Sequence, residues 1–340
     1  MTTPLVCKEI ITGPMAWRGP ELMRDQSWIY HLTSSEIAEL DAALRKVQAR
    51  NVPLLELRGA DFDLPAFGPK LRELLEDIRI GRGFTVIRGL PVERYSDEEV
   101  GLIYWGIGAL LGIPVSQNRK GDFLGHVYSR DERAYGKIDV RGYESNAHLP
   151  FHNDSSDVVG LLCLRKAKAG GLSSIVGAAA MHNEILTKHP EYLEPLYRGY
   201  YYIQREDVLQ GKPLTERPVP VFGYKDGYLS ARLVRNQINS AAAFTGKPLE
   251  PLELAALDFM AELYYSPDFH LAMDLLPGDI QLLNNYTTMH SRTQFEDFPE
   301  PERKRHMLRL WLNIPWRRPV PDTFFDYREK GYKQLYEVAA

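Results

Sequence analysis

The segment Leu149-Pro-Phe-His152-Asn-Asp154-Ser-Ser-Asp157 sets an imidazole and a carboxylate two residues apart. At an extended strand end, side chains i and i+2 project to the same side. His152 and Asp154 can therefore offer a nitrogen and an oxygen to one metal ion. A third donor must come from elsewhere, and His290 is the best placed. Upstream of it, Pro277-Gly278-Asp279 reads as a turn and Ile280 to Leu283 as an apolar strand feeding the histidine. Two imidazoles and one carboxylate on one face of an octahedral ion leave the opposite face open. That donor set suits non-haem Fe(II), whose open positions can take a bidentate cosubstrate and O2. An H-x-D pair alone is a weak signal among nine histidines and 45 acidic residues. The plain alternative is a surface histidine in a turn and a strand-end histidine packed on an aromatic ring.

A second group of residues shifts that balance. In Pro299-Glu-Pro-Glu-Arg-Lys-Arg305-His-Met-Leu-Arg309-Leu-Trp-Leu-Asn-Ile-Pro315, an apolar strand carries arginines at i and i+4. They share a face if the chain is extended throughout. An arginine in a buried strand requires an anionic partner, because an unpaired buried charge is very costly. A guanidinium fork binds a carboxylate bidentately. It suits the distal carboxylate of 2-oxoglutarate or an acid group of a substrate. An internal ion pair with Asp or Glu is the competing reading for Arg305 and for Arg309.

The elements that must position these groups are legible in outline. Thr33 with Glu36 and Ser96 with Glu99 have capping-box spacing, ahead of helical patterns over Ile37–Val47 and Ser96–Leu111. Leu71–Ile80 is a third helix, stopped by Gly81 and Gly83, and Phe84–Pro91 reads as a buried strand. From about Pro114 the chain turns to short segments rich in Val, Ile, Leu and Tyr. Strands are predicted at Val158–Leu164, Ser173–Val176, Gly199–Gln204, Val219–Phe222, Gly227–Leu233, Asp279–Asn284 and Met307–Ile314. Pro220 restricts the fourth of these to a sheet edge. Helices are predicted at Ala178–Leu186 and Pro251–Tyr265. Short strands with helices mostly outside them imply a mainly β fold with peripheral helices, a sandwich or jelly roll. The polar, aperiodic stretch 128–148, with Arg130, Arg133, Lys137 and Arg141, reads as a long loop of the kind that covers a pocket. Gly106-Ile-Gly108-Ala-Leu-Leu-Gly112 is one residue too long for a dinucleotide fingerprint and lies within a helical pattern, so it reads as helix packing. His126, His148 and His182 read as structural histidines. Gln117, Asn118 and Tyr143 are candidate substrate contacts on polarity alone, against an equally simple reading as loop hydrogen bonding.

Taken together and in order, these motifs resemble the taurine dioxygenase and clavaminate synthase-like group of Fe(II)/2-oxoglutarate dioxygenases. The resemblance spans roughly residues 80 to 315. Gly83–Pro91 resembles the family's leading strand, and His152, Asp154 and His290 match its metal ligands. Gly170-Gly171-Leu172-Ser173 resembles a Gly-Gly-x-Thr/Ser turn whose hydroxyl assists an arginine in holding 2-oxoglutarate; Ser174 is the alternative donor if the register differs by one. Arg305 and Arg309 match an Arg-x-x-x-Arg pair. The resemblance implies that Arg305 grips the cosubstrate's distal carboxylate while Arg309 reaches a substrate acid group, with the two roles shared or exchanged as the alternative. It also implies a double-stranded β-helix, and an enzyme using Fe(II), 2-oxoglutarate and O2. Such an enzyme oxidises a substrate C–H bond by hydroxylation, desaturation or ring closure, and releases succinate and CO2. A small amino acid or another carboxylate is the favoured substrate. A zinc hydrolase and a non-catalytic small-molecule binding protein on the same fold remain as rivals.

Bulk properties agree with a chain of this kind. It has 340 residues, 44% hydrophobic and 25% charged, with a net charge of −4. That charge gives no general reason to expect a nucleic-acid partner. The reading is one oxygenase domain over 1–340. Residues 1–112 form a helical region plus a leading strand, and 113–315 the jelly-roll core. Two cysteines, Cys7 and Cys163, make no spaced metal or disulfide set. Without a signal-peptide pattern or an apolar run long enough for a membrane span, the expectation is a cytoplasmic protein acting on a small molecule. Its oligomeric state is left open.

Overall fold

The computed structural model describes residues 5–118, 120–130, 142–203, 213–315, 318–324 and 334–336. Two sheets face each other as a double-stranded β-helix. The larger has seven strands: β1 (Ile29–His31), β2 (Phe84–Arg88), β12 (Ile280–Asn284), β6 (Val158–Arg165), β15 (His306–Asn313) and β3 (Ile113–Pro114) in spatial order, with β4 (Leu124–Val127) also paired to β15. The smaller runs β11 (His270–Met273), β8 (Ser173–Gly177), β13 (Thr288–Arg292), β5 (Leu149–His152). Two short pairings complete the set: β9 (Phe222–Lys225) with β10 (Tyr228–Ala231), and β7 (Ala169–Gly170) with β14 (Phe295–Glu296).

Alternation along β15 shows how sequence sets the layers. Leu308, Leu310 and Leu312 turn outward into the cluster formed with helices Ser34–Arg50, Phe67–Ile80 and Asp97–Leu111. Met307 and Trp311 turn inward. Between the sheets, Phe84, Val86, Val159, Cys163 and Leu283 of the larger meet Ile175, Leu271 and Met273 of the smaller. The far side of the smaller sheet presents Phe151, Val176 and Met289 to helices Ala178–Lys188 and Pro251–Tyr265. Both predicted capping boxes form, with Glu36 N donating to Thr33 Oγ1 (3.3 Å) and Glu99 N to Ser96 Oγ (3.2 Å). Glycines 106 and 108 serve helix packing, since a Cβ at either would strike Phe62 or Leu310 at 2.2 or 2.5 Å. In the predicted turn before β12, Gly278 has φ +88° and its Cβ position lies 1.9 Å from Leu90 O. The adjacent Asp279, wholly buried, accepts a bidentate pair from Arg88 at 2.9 and 2.7 Å, tying β2 to the start of β12.

Several local expectations fail. Gly199–Gln204 is no strand over its described residues; it makes single bridges, Tyr200 to Val219 and Ile203 to Leu214. The strand expected at Val219–Phe222 starts at Phe222. Helix Arg235–Thr245 was not anticipated. Its Asn, Ser and Thr content is poor for helix, and only Ile238 and Ala241 are buried, so little periodicity shows. Strands β5, β11 and β13 are short and carry His, Ser, Arg or Pro, which hides them from an apolar-run criterion. Most of the expected 128–148 loop, 131–141 with Arg133, Lys137 and Arg141, lies outside the described residues; beside it, Arg130 N donates to Glu144 O at 3.0 Å.

Candidate metal and cosubstrate site

His152 ends β5, and His290 lies on β13 directly opposite it in the ladder. Pairing in register brings the two rings to 4.3 Å between centroids. The Asp154 carboxylate lies between them, with Oδ1 3.7 Å from His152 Nε2 and Oδ2 3.7 Å from His290 Nε2. These separations exceed hydrogen-bonding distance. They fit three donors grouped around a common point, and one ligand atom of each residue lies within 4.8 Å of the others. The donor chemistry fits a divalent ion as well. His152 Nδ1 lies 2.9 Å from Pro150 O, a carbonyl that can only accept, so the proton sits on Nδ1 and the Nε2 lone pair faces inward. Burial, the largest influence, pushes His290 down to about 3, so its imidazole is neutral. Burial, the largest single influence on Asp154, favours the protonated acid. The charge of Arg309 and the Trp311 N–H oppose it, and the carboxyl is held below its ordinary value.

The residue between the paired ligands fixes the backbone that carries them. Asn153 Nδ2 donates to Asn285 O (2.8 Å) and Thr288 O (3.0 Å), and its Oδ1 accepts from Leu233 N (2.7 Å). Asn285 Oδ1 in turn accepts from Asp154 N (3.1 Å). Trp311 Nε1 donates to Asp154 Oδ2 at 2.9 Å. Sequence reasoning assigned Trp311 only to a strand; its indole and its spacing from Arg309 were the available signal.

The ligand group opens on a cavity of about 50 Å³ also lined by Ser173, Arg292, Arg305, Arg309, Leu161 and Leu275. Arg305 is 7% exposed, its Nη1 has no hydrogen-bond partner, and it makes no ion pair among the described residues. Burial pushes its guanidinium down from the ordinary value. Cys163 beside it is neutral, its thiol pushed up to about 12 by burial, so Asp297 supplies the nearby negative charge. Ser173 lines the cavity and donates to Gln281 Oε1 at 3.1 Å, while its neighbour Ser174 is absent from the lining.

Arg309 reaches the cavity despite a register shift at His306/Met307, so the strand is not extended throughout. Its Nη1 lies 3.8 Å from Asp154 Oδ2, which realises the internal ion pair weighed as its alternative. Gln117 does not line the cavity. Its Oε1 accepts from Arg309 Nε (2.6 Å) and its Nε2 donates to Arg309 O (2.7 Å), so it holds the arginine. Asn118 turns away to Asp122, donating at 2.7 Å. Tyr143 falls within the short helix Gly142–Glu144, and its side chain lies outside the described residues. Of the spare histidines, His126 pairs with His306 (2.9 Å), His182 with Tyr197 OH (3.0 Å), and His148 packs on Tyr265. Arg292, missed in the sequence although it follows His290 by two residues, lines the cavity. Burial, then the charge of Arg305, pushes it down to about 9. A larger cavity of about 570 Å³ between Tyr200, Ile238 and Leu249 holds none of these groups.

Comparison with known proteins agrees with this geometry. The family model described as "Taurine catabolism dioxygenase TauD, TfdA family" matches residues 49–311. The chain is 30% identical over 326 residues to FR-33289 synthase of Streptomyces rubellomurinus, covering 95% of this chain and 96% of that protein. It is 29% identical to the taurine hydroxylase-like protein SAT17 of Stachybotrys chartarum, over 91% and 82% of the two chains. Among solved structures, an asparagine oxygenase with Fe(II), 2S,3S-3-hydroxyasparagine and succinate superposes with a TM-score of 0.66, at 16% identity, over 84% of this chain and 93% of that one. The non-heme iron oxygenase OrfP with Fe, succinate and (3R,4R)-dihydroxy-L-Arg gives 0.64 at 18% identity, over 84% and 94%. The chain belongs to the TauD, TfdA family and is a non-haem dioxygenase dependent on Fe(II), 2-oxoglutarate and O2.

Proposed function

We propose that His152, Asp154 and His290 hold the Fe(II), that Arg305 with Ser173 takes the distal carboxylate of 2-oxoglutarate, and that Arg309 faces an acid group of the substrate. The observation that carries this reading is the pairing of two unlike features in one cavity: three converging metal donors, and a buried guanidinium without an ion-pair partner among the described residues. Leaving Arg305 unpaired costs several kcal/mol, on the order of what an exogenous carboxylate restores. Bound iron would supply the activation of O2 that couples decarboxylation of the cosubstrate to oxidation of a C–H bond. The protein's own residues do the rest. Trp311 and Arg309 keep Asp154 ionised, Pro150 fixes the His152 tautomer, and Gln117 aims Arg309.

The substrate is a small amino acid or a related carboxylate, not a nucleic acid or a membrane. Arg309 at the cavity supports this, as do the hydroxylated amino acids bound to two structurally similar oxygenases. The whole chain works as one cytoplasmic oxygenase domain; among the described residues no helix is long and apolar enough to cross a membrane. A metabolite screen with Fe(II), ascorbate and 2-oxoglutarate tests this, with mass spectrometry for products that gain an oxygen or lose two hydrogens. The expected hits carry a carboxylate. Turnover confined to compounds without an acid group would overturn the substrate assignment.

A further inference from the structure

Arg292 has no role in the reading above, yet it is built like a ligand contact. It follows His290 by two residues on β13, so both side chains leave the strand on the same side. Its register partners are Ser173 on β8 and Leu149 on β5. It is 6% exposed and lines the cavity together with Arg305 and Ser173. The guanidiniums of Arg292 and Arg305 share one aromatic surface, at 4.7 and 5.2 Å from the Phe295 ring centre. Arg292 Nη2 donates to Ser145 O (2.7 Å) and Ala147 O (2.5 Å), and Phe295 N donates to the carbonyl between them, Asn146 O (3.1 Å). Three consecutive carbonyls just ahead of β5 are thus held by residues 292–295. Meanwhile Arg292 Nε and Arg305 Nη1 are both buried without a hydrogen-bond partner among the described residues.

Two neighbouring buried cations, each with an unmet donor, are relieved together by a single anion. A carboxylate has two oxygens and about four acceptor positions, enough for both arginines and the Ser173 hydroxyl. We propose that Arg292 is a second cosubstrate-binding arginine. With Arg305 it brackets the distal carboxylate of 2-oxoglutarate. Through Ser145 and Ala147 it links occupancy of that position to the segment leading into His152. This rests on the assignment of Arg305 and Ser173 to that carboxylate.

The test uses the full chain loaded with Mn(II), titrated calorimetrically with 2-oxoglutarate and, separately, with 2-oxopentanoate. The second acid keeps the chain length but has a methyl group in place of the distal carboxylate. Arg292→Gln should weaken 2-oxoglutarate at least tenfold and leave 2-oxopentanoate within about twofold. Arg292→Lys, which keeps the charge, should recover part of that loss, and it carries the comparison if the glutamine variant does not fold. In the wild type, 2-oxoglutarate should slow amide hydrogen exchange at 145–148, and in Arg292→Gln it should not. Equal weakening of both acids would make Arg292 a scaffold for 145–147 alone and overturn the inference. So would unchanged 2-oxoglutarate affinity. If instead Arg305→Gln leaves 2-oxoglutarate binding intact, the parent assignment of the carboxylate site is what fails.

Discussion

Replacing Trp311 by phenylalanine removes one donor, the indole N–H that reaches Asp154 Oδ2 at 2.9 Å, and keeps an aromatic ring under Arg309, whose guanidinium carbon stands 4.9 Å from the indole. A hydrogen bond to an ionised acceptor contributes about 1.5–3 kcal/mol. Losing an outer partner of a metal ligand typically costs about 10–100-fold in metal affinity. At about 1.4 kcal/mol per factor of ten the two ranges coincide. Asp154 keeps the Arg309 charge at 3.8 Å, which offsets part of the loss. The expectation is therefore the lower half of that range, roughly 10–30-fold weaker binding. Anaerobic competition between the protein and a chelator for Fe(II) measures this directly. Circular dichroism and thermal melting should show a folded variant with a modestly lower Tm. A folded Trp311→Phe protein with unaltered Fe(II) affinity would refute the argument that the indole holds the carboxylate for the metal.

Arg305→Ala should weaken 2-oxoglutarate by about 2–5 kcal/mol, and Ser173→Ala by about 1 kcal/mol, in equilibrium titrations; equal losses would misplace the cosubstrate site. Arg309→Ala should raise substrate KM or uncouple turnover, so that succinate exceeds product when both are measured side by side. Preserved coupling with unchanged KM would confine Arg309 to its pairing with Asp154. Stability should depend on pH through His182, which burial pushes down to about 4 from an ordinary 6.5. Between those values the unfolded chain binds a proton that the folded chain does not. This contribution is therefore fully present above about 6.5 and is lost as pH falls toward 4, on the order of 3 kcal/mol in all. Denaturant titrations at pH 7.5 and 4.5 should show a smaller difference for His182→Leu than for wild type; an equal difference would contradict the assignment.

The parts of this molecule that sequence revealed are those where one residue type has few uses. An H-x-D on an extended end and two arginines in an apolar strand have narrow chemical explanations, and the structure brings these four side chains and His290 to one cavity. The capping boxes and β6, β8, β12 and β15 were legible because caps and apolar runs are local signals. What stayed hidden depends on partners distant in the chain. Gln117 was read as a pocket polar group, but it spends its amide on Arg309, 192 residues away. Trp311 was read only as part of a strand and Arg292 was given no role, because only the fold sets them beside Asp154 and Ser173. The helix Arg235–Thr245 and the strands β5 and β13 lack the periodicity or apolar content that would announce them.

Three side chains, from β5, the residues just after it and β13, are proposed to form one metal centre. A crystal structure of the full chain soaked with Mn(II) tests it most directly, with the ion located by anomalous scattering. One strong peak is expected within about 2.0–2.3 Å of His152 Nε2, a carboxylate oxygen of Asp154 and His290 Nε2, with its remaining positions facing Arg305 and Arg309. An ion bound elsewhere, or one that leaves any of these three residues out of its coordination sphere, would contradict it.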